Sequence, residues 1–251
     1  MDSAQNSQDN SQKTLDNSLS NSNPQQASSQ QQVASSQSEP VADNGTQIAK
    51  LEGLINNARL PEDLNQAARA MVARLKIVKD QPSFYTEYDT MSRYITWITA
   101  LPWNKMSQDV LDLAHAKQVL DKNHFGLEVV KEQILEFLSI MILTRQRAGQ
   151  EGSDIIARAP ILSLVGLAGV GKTTIAYSIA EALGRKIERI PFGGMGSASQ
   201  LRGKSRLYSD SEPGFVIKAL RRAGTSNPVI LLDEIDRVSE DARSDIMGVL
   251  V

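Results

Sequence analysis

Cysteine is absent from the 251-residue chain. That excludes disulfide bridges and thiolate metal sites, and it fits a reducing compartment. Histidine is nearly absent as well, with His115 and His124 the only two. Neither has a Cys, His or carboxylate neighbour repeated at ligand spacing, so no zinc-type centre is expected. Long apolar runs are missing too. The longest lies around Ile140 to Leu143, far short of the ~20 residues that a membrane span needs. The N-terminus, Met1-Asp2-Ser3-Ala4-Gln5-Asn6, lacks the basic and apolar regions of a secretory signal. Nor does one sign of charge dominate: the formal net charge is −2, which gives no general attraction to nucleic acid. These absences imply a soluble, cytoplasmic protein without membrane partners, long enough for one or two domains with their own cores.

The first 46 residues are mostly Ser, Gln and Asn, with apolar residues as sparse as Leu15, Leu19 and Val33. So little apolar surface cannot offset the entropy of ordering, and a disordered tail is expected. Composition changes at Thr46. Ile48, Leu51, Leu54 and Ile55 recur at helical spacing, and Leu60-Pro61-Glu62-Asp63 reads as a second helix start. A third helix is expected over 83–99, carrying Phe84, Tyr88, Met91, Ile95 and Ile98 and ended by Leu101-Pro102-Trp103. Tyr94 and Trp97 on it read as helix packing rather than as a ligand box. Ser107 reads as the cap of a helix from Gln108 to about Lys122, and Gly126 opens another from Leu127 to about Arg147. Residues 148–159 read as a linker.

The stretch Gly166-Leu167-Ala168-Gly169-Val170-Gly171-Lys172-Thr173 matches G-x-x-x-x-G-K-[ST] at every fixed position. An apolar run, Ile161 to Val165, reads as the strand that feeds it, and Thr173 to Leu183 as the helix that follows, stopped by Gly184. The glycines let backbone N–H groups turn inward toward phosphate oxygens. Lys172 can reach the β- and γ-phosphates, Thr173 offers a hydroxyl to Mg²⁺, Thr174 adds a second hydroxyl, and the helix N-terminus favours the anion. The pattern implies a nucleoside triphosphate site, with ATP and Mg²⁺ as cofactors. Lys186 to Phe192 reads as a second strand, and Pro213-Gly214 begins a helix that Gly224 ends. Pro228 to Glu234 is an apolar run closing on two acids. It has the form of a Walker B strand, with Asp233 delivered to the metal and Glu234 placed to polarise an attacking water.

Several segments, taken in order, resemble the Lon proteases of the AAA+ class over roughly residues 50 to 240. They include Ser92-Arg93-Tyr94-Ile95-Thr96-Trp97, Leu111-Asp112-Leu113-Ala114-His115-Ala116, His124-Phe125-Gly126-Leu127-Glu128, the phosphate loop, Leu201-Arg202-Gly203 and Ala223-Gly224-Thr225-Ser226-Asn227-Pro228. The resemblance implies an ATP-driven unfoldase that assembles as a hexamer and feeds unfolded or tagged proteins to a Ser-Lys peptidase. It implies an adenine pocket from His124, Phe125, Gly126, Leu127 and Val130, and a substrate-gripping pore loop at Tyr208. The sequence departs from the family pattern at Phe125, at Ser209-Asp210 and at Met195 to Ser199.

The expected fold is α/β: a helical region followed by an incomplete P-loop AAA+ parallel sheet with flanking helices. Residues 1–46 would be the tail, 47–104 the end of a helical substrate-engaging region, and 105–251 a partial ATPase domain. The chain stops at Val251, within what reads as a helix. In this fold class the next strand lies between the phosphate-loop strand and the Asp233 strand, so a fragment that is inactive by itself is expected. Two other readings stay open. One is a non-catalytic ATP-binding module. The other is a nucleic-acid-remodelling AAA+ protein, supported only by the basic residues Arg202, Lys204, Arg206, Arg221 and Arg222, which lack a stacking platform.

Overall fold

The Asp43 carboxylate accepts from the Gly45 N–H and caps α1 (Asn44–Asn57), three residues before the compositional change at Thr46. The computed structural model describes residues 43–151, 161–206, 208 and 210–250, without side-chain detail for 148–151. The Ser/Gln/Asn-rich tail up to residue 42 and most of the expected linker lie outside the described residues; residues 44–46 of the expected tail and 148–151 of the expected linker are instead helical. In α2 (Glu62–Ile77), Glu62 and Asp63 occupy the first turn and Arg74 and Lys76 the last, so each end carries the charge that complements the helix dipole. In α3 (Phe84–Thr99), Phe84, Ile95 and Ile98 are buried. They join Ile48, Leu51 and Ile55 of α1 and Ala68, Val72 and Leu75 of α2 in one core. Trp103 then donates its indole N–H to the Ile98 carbonyl at 2.7 Å, fixing the chain as it leaves α3.

The next helix departs from expectation. No helix starts at Gln108; α4 (Leu113–Asn123) begins later, capped by the Asp112 carboxylate, which accepts from the Ala114 N–H at 2.8 Å. Ser107 has other partners. Its N–H and its hydroxyl both donate to Asn227 Oδ1, at 2.8 and 3.1 Å. Asn227 Nδ2 returns bonds to the Ser107 carbonyl and to Asp109 Oδ1, at 3.0 and 3.1 Å. Asp109, with a side chain only 4% exposed, also receives the Arg185 guanidinium at 2.8 and 2.6 Å and an ion pair from Arg145. The backbone takes part as well: Val110 N–H donates to the Leu183 carbonyl and Ser226 N–H to the Lys105 carbonyl. Residues 105–110 form a laced strap. Coiling them into a helix would forfeit every one of these bonds.

Beyond the strap, α4, α5 (Glu128–Glu151) and α6 (Lys172–Ala182) share a second core, with Val119, Leu120, Ile134, Leu138, Ile175 and Ile179 inside it. A third core lies under β1 (Ile187–Pro191) and β2 (Val229–Asp233) and is closed by α7 (Ala198–Arg202), α8 (Phe215–Ala223) and α9 (Glu240–Leu250). The two strands pair in parallel, from Ile187 opposite Val229 to Pro191 opposite Asp233. The described residues are therefore mostly helical with a small parallel sheet, an incomplete α/β arrangement.

The expected strand over Ile161–Val165 does not form. Leu164 packs against the second core, but Ile161 and Val165 are 88% and 94% exposed, and the run joins no ladder. Hydrophobicity can prepare a strand, but a strand exists only when its N–H and C=O groups find a neighbour. Among the described residues the sheet consists of β1 and β2 alone.

The strap gives a stability prediction. Burial lowers the Arg185 pKa from its usual value, so its charge depends on the Asp109 carboxylate for compensation. Asp109→Asn should cost about 3–5 kcal/mol in urea unfolding, the scale for breaking a buried ion pair. Removing the exposed Arg93–Asp89 pair of α3 by Asp89→Asn should cost at most about 1 kcal/mol. Equal losses for the two variants would contradict the role given to Asp109.

Candidate nucleotide-binding site

The phosphate-loop motif folds as an exposed loop running directly into α6. Gly169 and Gly171 sit at φ +80° and +92°, in the left-handed region that strains any residue with a Cβ. Gly171 is the N-cap, so the free N–H groups of the first turn of α6 open onto the loop. Lys172 Nζ folds back over the loop and donates to the Gly166 and Leu167 carbonyls at 2.8 and 2.7 Å. Its ammonium therefore sits over the same curl of backbone that the motif assigns to phosphate. Thr173 is half-buried at the helix start. Thr174 is turned to the loop base, where its hydroxyl donates to the Gly171 carbonyl at 2.7 Å.

Asp233 closes β2, and β2 packs against α6. Its carbonyl accepts from the Phe192 N–H at 2.8 Å, and its carboxylate pairs with Arg189 Nε at 2.7 Å. Arg189 was not singled out from sequence. The signal for it is period two: Arg189 pairs in register with Leu231, so it shares a face with the diagonal neighbour two residues on, which is Asp233. Glu234 then turns left-handed at φ +58°, a conformation that costs a non-glycine residue about 1–3 kcal/mol and concentrates at functional sites. Its carboxylate reaches Arg237 at 3.1 Å and lies against Gly193, where a Cβ would collide with it. A side chain at position 193 would displace the Glu234 carboxylate from this placement.

The donors fit Mg²⁺. A hydroxyl at Thr173 and a carboxylate at Asp233 are hard oxygen ligands of the kind that hold this ion together with phosphate oxygens and water. Among the described residues no cluster of three or more His, Cys, Asp or Glu forms a cage that would hold a metal without a ligand.

The residues assigned to adenine are dispersed in environment. His124 Nε2 lies 2.9 Å from the hydroxyl of buried Ser178, and Asn123 Nδ2 donates to Ser178 Oγ and Glu181 Oε2 at 3.1 and 2.8 Å. These bonds tie the end of α4 to α6, the helix that the phosphate loop opens. Phe125 is fully exposed, Gly126 and Leu127 both take positive φ, and Val130 packs into the second core. They make an open apolar shoulder rather than a closed slot.

Tyr208 is 65% exposed, in a segment whose ends meet in an antiparallel bridge between Gly203 and Pro213. Asp210, where the sequence departs from the family pattern, pairs with Lys204 inside that segment. The Lys204 ammonium holds the Asp210 carboxyl below its usual pKa. Three further basic residues are engaged within the fold. Arg206 stacks on Tyr94 at 4.3 Å, Arg221 on Trp97 at 4.2 Å, and Arg222 pairs with Glu188 at 2.8 Å.

Comparison with known proteins places these features in a family. The model of the ATPase family associated with various cellular activities (AAA) matches residues 162–251. A Lon protease of Desulfovibrio desulfuricans is 40% identical over 205 residues, which is 82% of this chain and 22% of that protein. A Lon protease of Chloroflexus aurantiacus is 42% identical over 217 residues, 84% of this chain and 25% of its own. The Thermus thermophilus Lon protease 2 is 46% identical over 167 residues, 66% of this chain and 21% of its own. The chain spans about a quarter of the length of these relatives. It belongs by sequence to the Lon protease family, over a segment that contains AAA ATPase sequence.

Proposed function

We infer that this chain is the ATP-binding and ATP-hydrolysing unfoldase part of an ATP-dependent serine protease. The observation that carries the reading is the phosphate loop. Its left-handed glycines open onto the N-terminus of α6, and the strand ending in Asp233 packs on the same helix. Gly166, Leu167, Ala168, Gly169, Val170 and Gly171 would cradle the phosphates with backbone N–H groups, and Lys172 would leave the loop carbonyls for the β- and γ-phosphates. Thr173 and Asp233 would hold Mg²⁺, which neutralises charge on the phosphates when bound. Thr174 would support the loop base. Glu234 would orient and deprotonate the attacking water from its left-handed perch. His124 and Phe125, with the shoulder around them, would cover the base.

At the level of the whole protein, residues 1–46 would be a tail whose last three residues enter α1, 47–104 the end of a substrate-engaging region and 105–251 part of the ATPase domain. The assembly would be a cytoplasmic homo-hexamer in which Tyr208 grips unfolded or tagged proteins, while the cutting step belongs to another part of the protein. A nucleic-acid role is disfavoured because four of the five basic side chains weighed for it are engaged within the fold. Among the described residues no helix is long and apolar enough to cross a membrane.

Three substitutions test the assignments. Lys172→Ala should weaken Mg·ATP binding to this chain at least about tenfold in calorimetric titration, the scale for losing charge-assisted hydrogen bonds. Undiminished affinity would remove Lys172 from the site. In the full-length protease, Glu234→Gln should keep nucleotide binding and lower ATP turnover by about 10²–10⁴, as for loss of a general base; turnover equal to wild type would overturn its role. Arg189 competes with a cation for Asp233. Arg189→Gln should therefore lower the Mg²⁺ concentration for half-maximal nucleotide binding, by up to about fivefold for a pair whose arginine is half exposed. A higher Mg²⁺ requirement would mean that Arg189 helps rather than competes.

A further inference from the structure

The two arginine–aromatic stacks join parts of the chain that, among the described residues, share no hydrophobic core. Tyr94 and Trp97 lie on α3, in the α1–α3 bundle, with Tyr94 packed at the edge of its core. Arg206 lies in the segment bridged at Gly203 and Pro213, two residues before Tyr208. Arg221 lies on α8, whose buried face belongs to the core under the sheet. Their guanidinium carbons sit 4.3 and 4.2 Å from the ring centroids, well within cation–π range. The two aromatic residues are three apart in α3, so both rings project from one side of the helix.

Among its described residues the Tyr208 turn is also held by polar contacts. Tyr208 N–H donates to the Ser205 carbonyl and Ser211 N–H to the Tyr208 carbonyl, Lys204 pairs with Asp210, and Lys218 of α8 pairs with Glu212 at 2.5 Å. A recess of about 370 Å³, lined by Arg93, Trp97, Asp210, Ser211, Glu212 and Lys218, opens where α3, this turn and α8 meet. Contact there is not continuous. The stacks therefore bear on discrete points: Arg206 at the near side of the turn, and Arg221 on the helix into which the turn leads.

We propose that α3 is the anchor of the Tyr208 turn. Tyr94 and Trp97 are positioning residues, and a polypeptide drawn by Tyr208 pulls against the α1–α3 bundle instead of a free loop. The proposal rests on the reading of Tyr208 as the gripping side chain. It assigns Tyr94 and Trp97 a task that packing alone does not require, since each ring presents a face to a cation from another part of the chain.

Trypsin offers a direct test, because it must take the arginine side chain into its own acidic pocket before it cuts. Cleavage after Arg206 therefore requires the guanidinium to leave Tyr94. The reference is cleavage after Arg59, exposed between α1 and α2, which rises if the bundle itself loosens. Tyr94→Leu should raise Arg206 cleavage relative to Arg59 about two- to fivefold, the population change for losing one exposed cation–π contact. Tyr94→Phe, which keeps a ring, should restore the wild-type ratio. An unchanged ratio in Tyr94→Leu, or equal rises at both sites, would overturn the anchor. Labelled β-casein, an unfolded polypeptide, tests the other reading separately. If it still binds after Tyr208→Ala, the gripping role fails, while the trypsin ratio continues to report on the anchor.

Discussion

The buried carboxylate of Asp109 is the contact on which the arrangement of the ATPase part depends. It draws together Arg145 of α5, Arg185 just past α6 and Asn227 just before β2. Asn227 in turn closes on Ser107, so the strap binds side chains and backbone at once. The consequence for the site is positional. Leu183 at the end of α6 bonds to Val110, and Lys186 before β1 accepts from Val229 at the start of β2. The helix that begins at the phosphate loop and the strand that ends at Asp233 are therefore referred to one strut. Arg185 is the largely buried guanidinium of the two and Arg145 the exposed one, so removing the anion leaves the Arg185 charge uncompensated in a poorly solvated place.

On the proposed reading, nucleotide binding is an exchange of partners. Lys172 is satisfied by loop carbonyls and Asp233 by Arg189, so neither charge is left bare. A phosphate would take Lys172 and a metal would take Asp233, each replacing a contact of comparable kind. Net affinity then comes from what has no substitute: the N–H groups of the loop and of the first turn of α6, fixed toward the ligand by Gly169 and Gly171. Glu234 is the complementary case, with backbone strain stored beside the place where water would be activated.

Where the sequence was legible, a local signal and a tertiary need agreed. The apolar periodicity of α1 to α3 and of α5, the glycine stops at Gly184 and Gly224, and the acids ending β2 all follow from chemistry within a few residues. Ser107 shows why other features were not. It has the chemistry of a cap, but its partner Asn227 is 120 residues away. Ile161 to Val165 has strand composition, but pairing is a property of a neighbour, and none is described beside it. The short helix α7 has only a local signal, Ser197 accepting from the Ser199 N–H, within a stretch of small residues that carries no apolar periodicity. Tyr94 and Trp97 read as packing residues. Only their placement beside Arg206 and Arg221, more than a hundred residues on, gives the rings a second use.

The central claim, that residues 166–174 hold a triphosphate, is tested most directly by amide chemical shifts of the ¹⁵N-labelled chain titrated with Mg·ATP. The account predicts that the largest shifts fall on Gly169, Gly171, Lys172, Thr173 and Thr174, with smaller ones at Asp233 and Glu234. Saturating shifts confined to other parts of the chain, or no shifts at millimolar nucleotide, would contradict it.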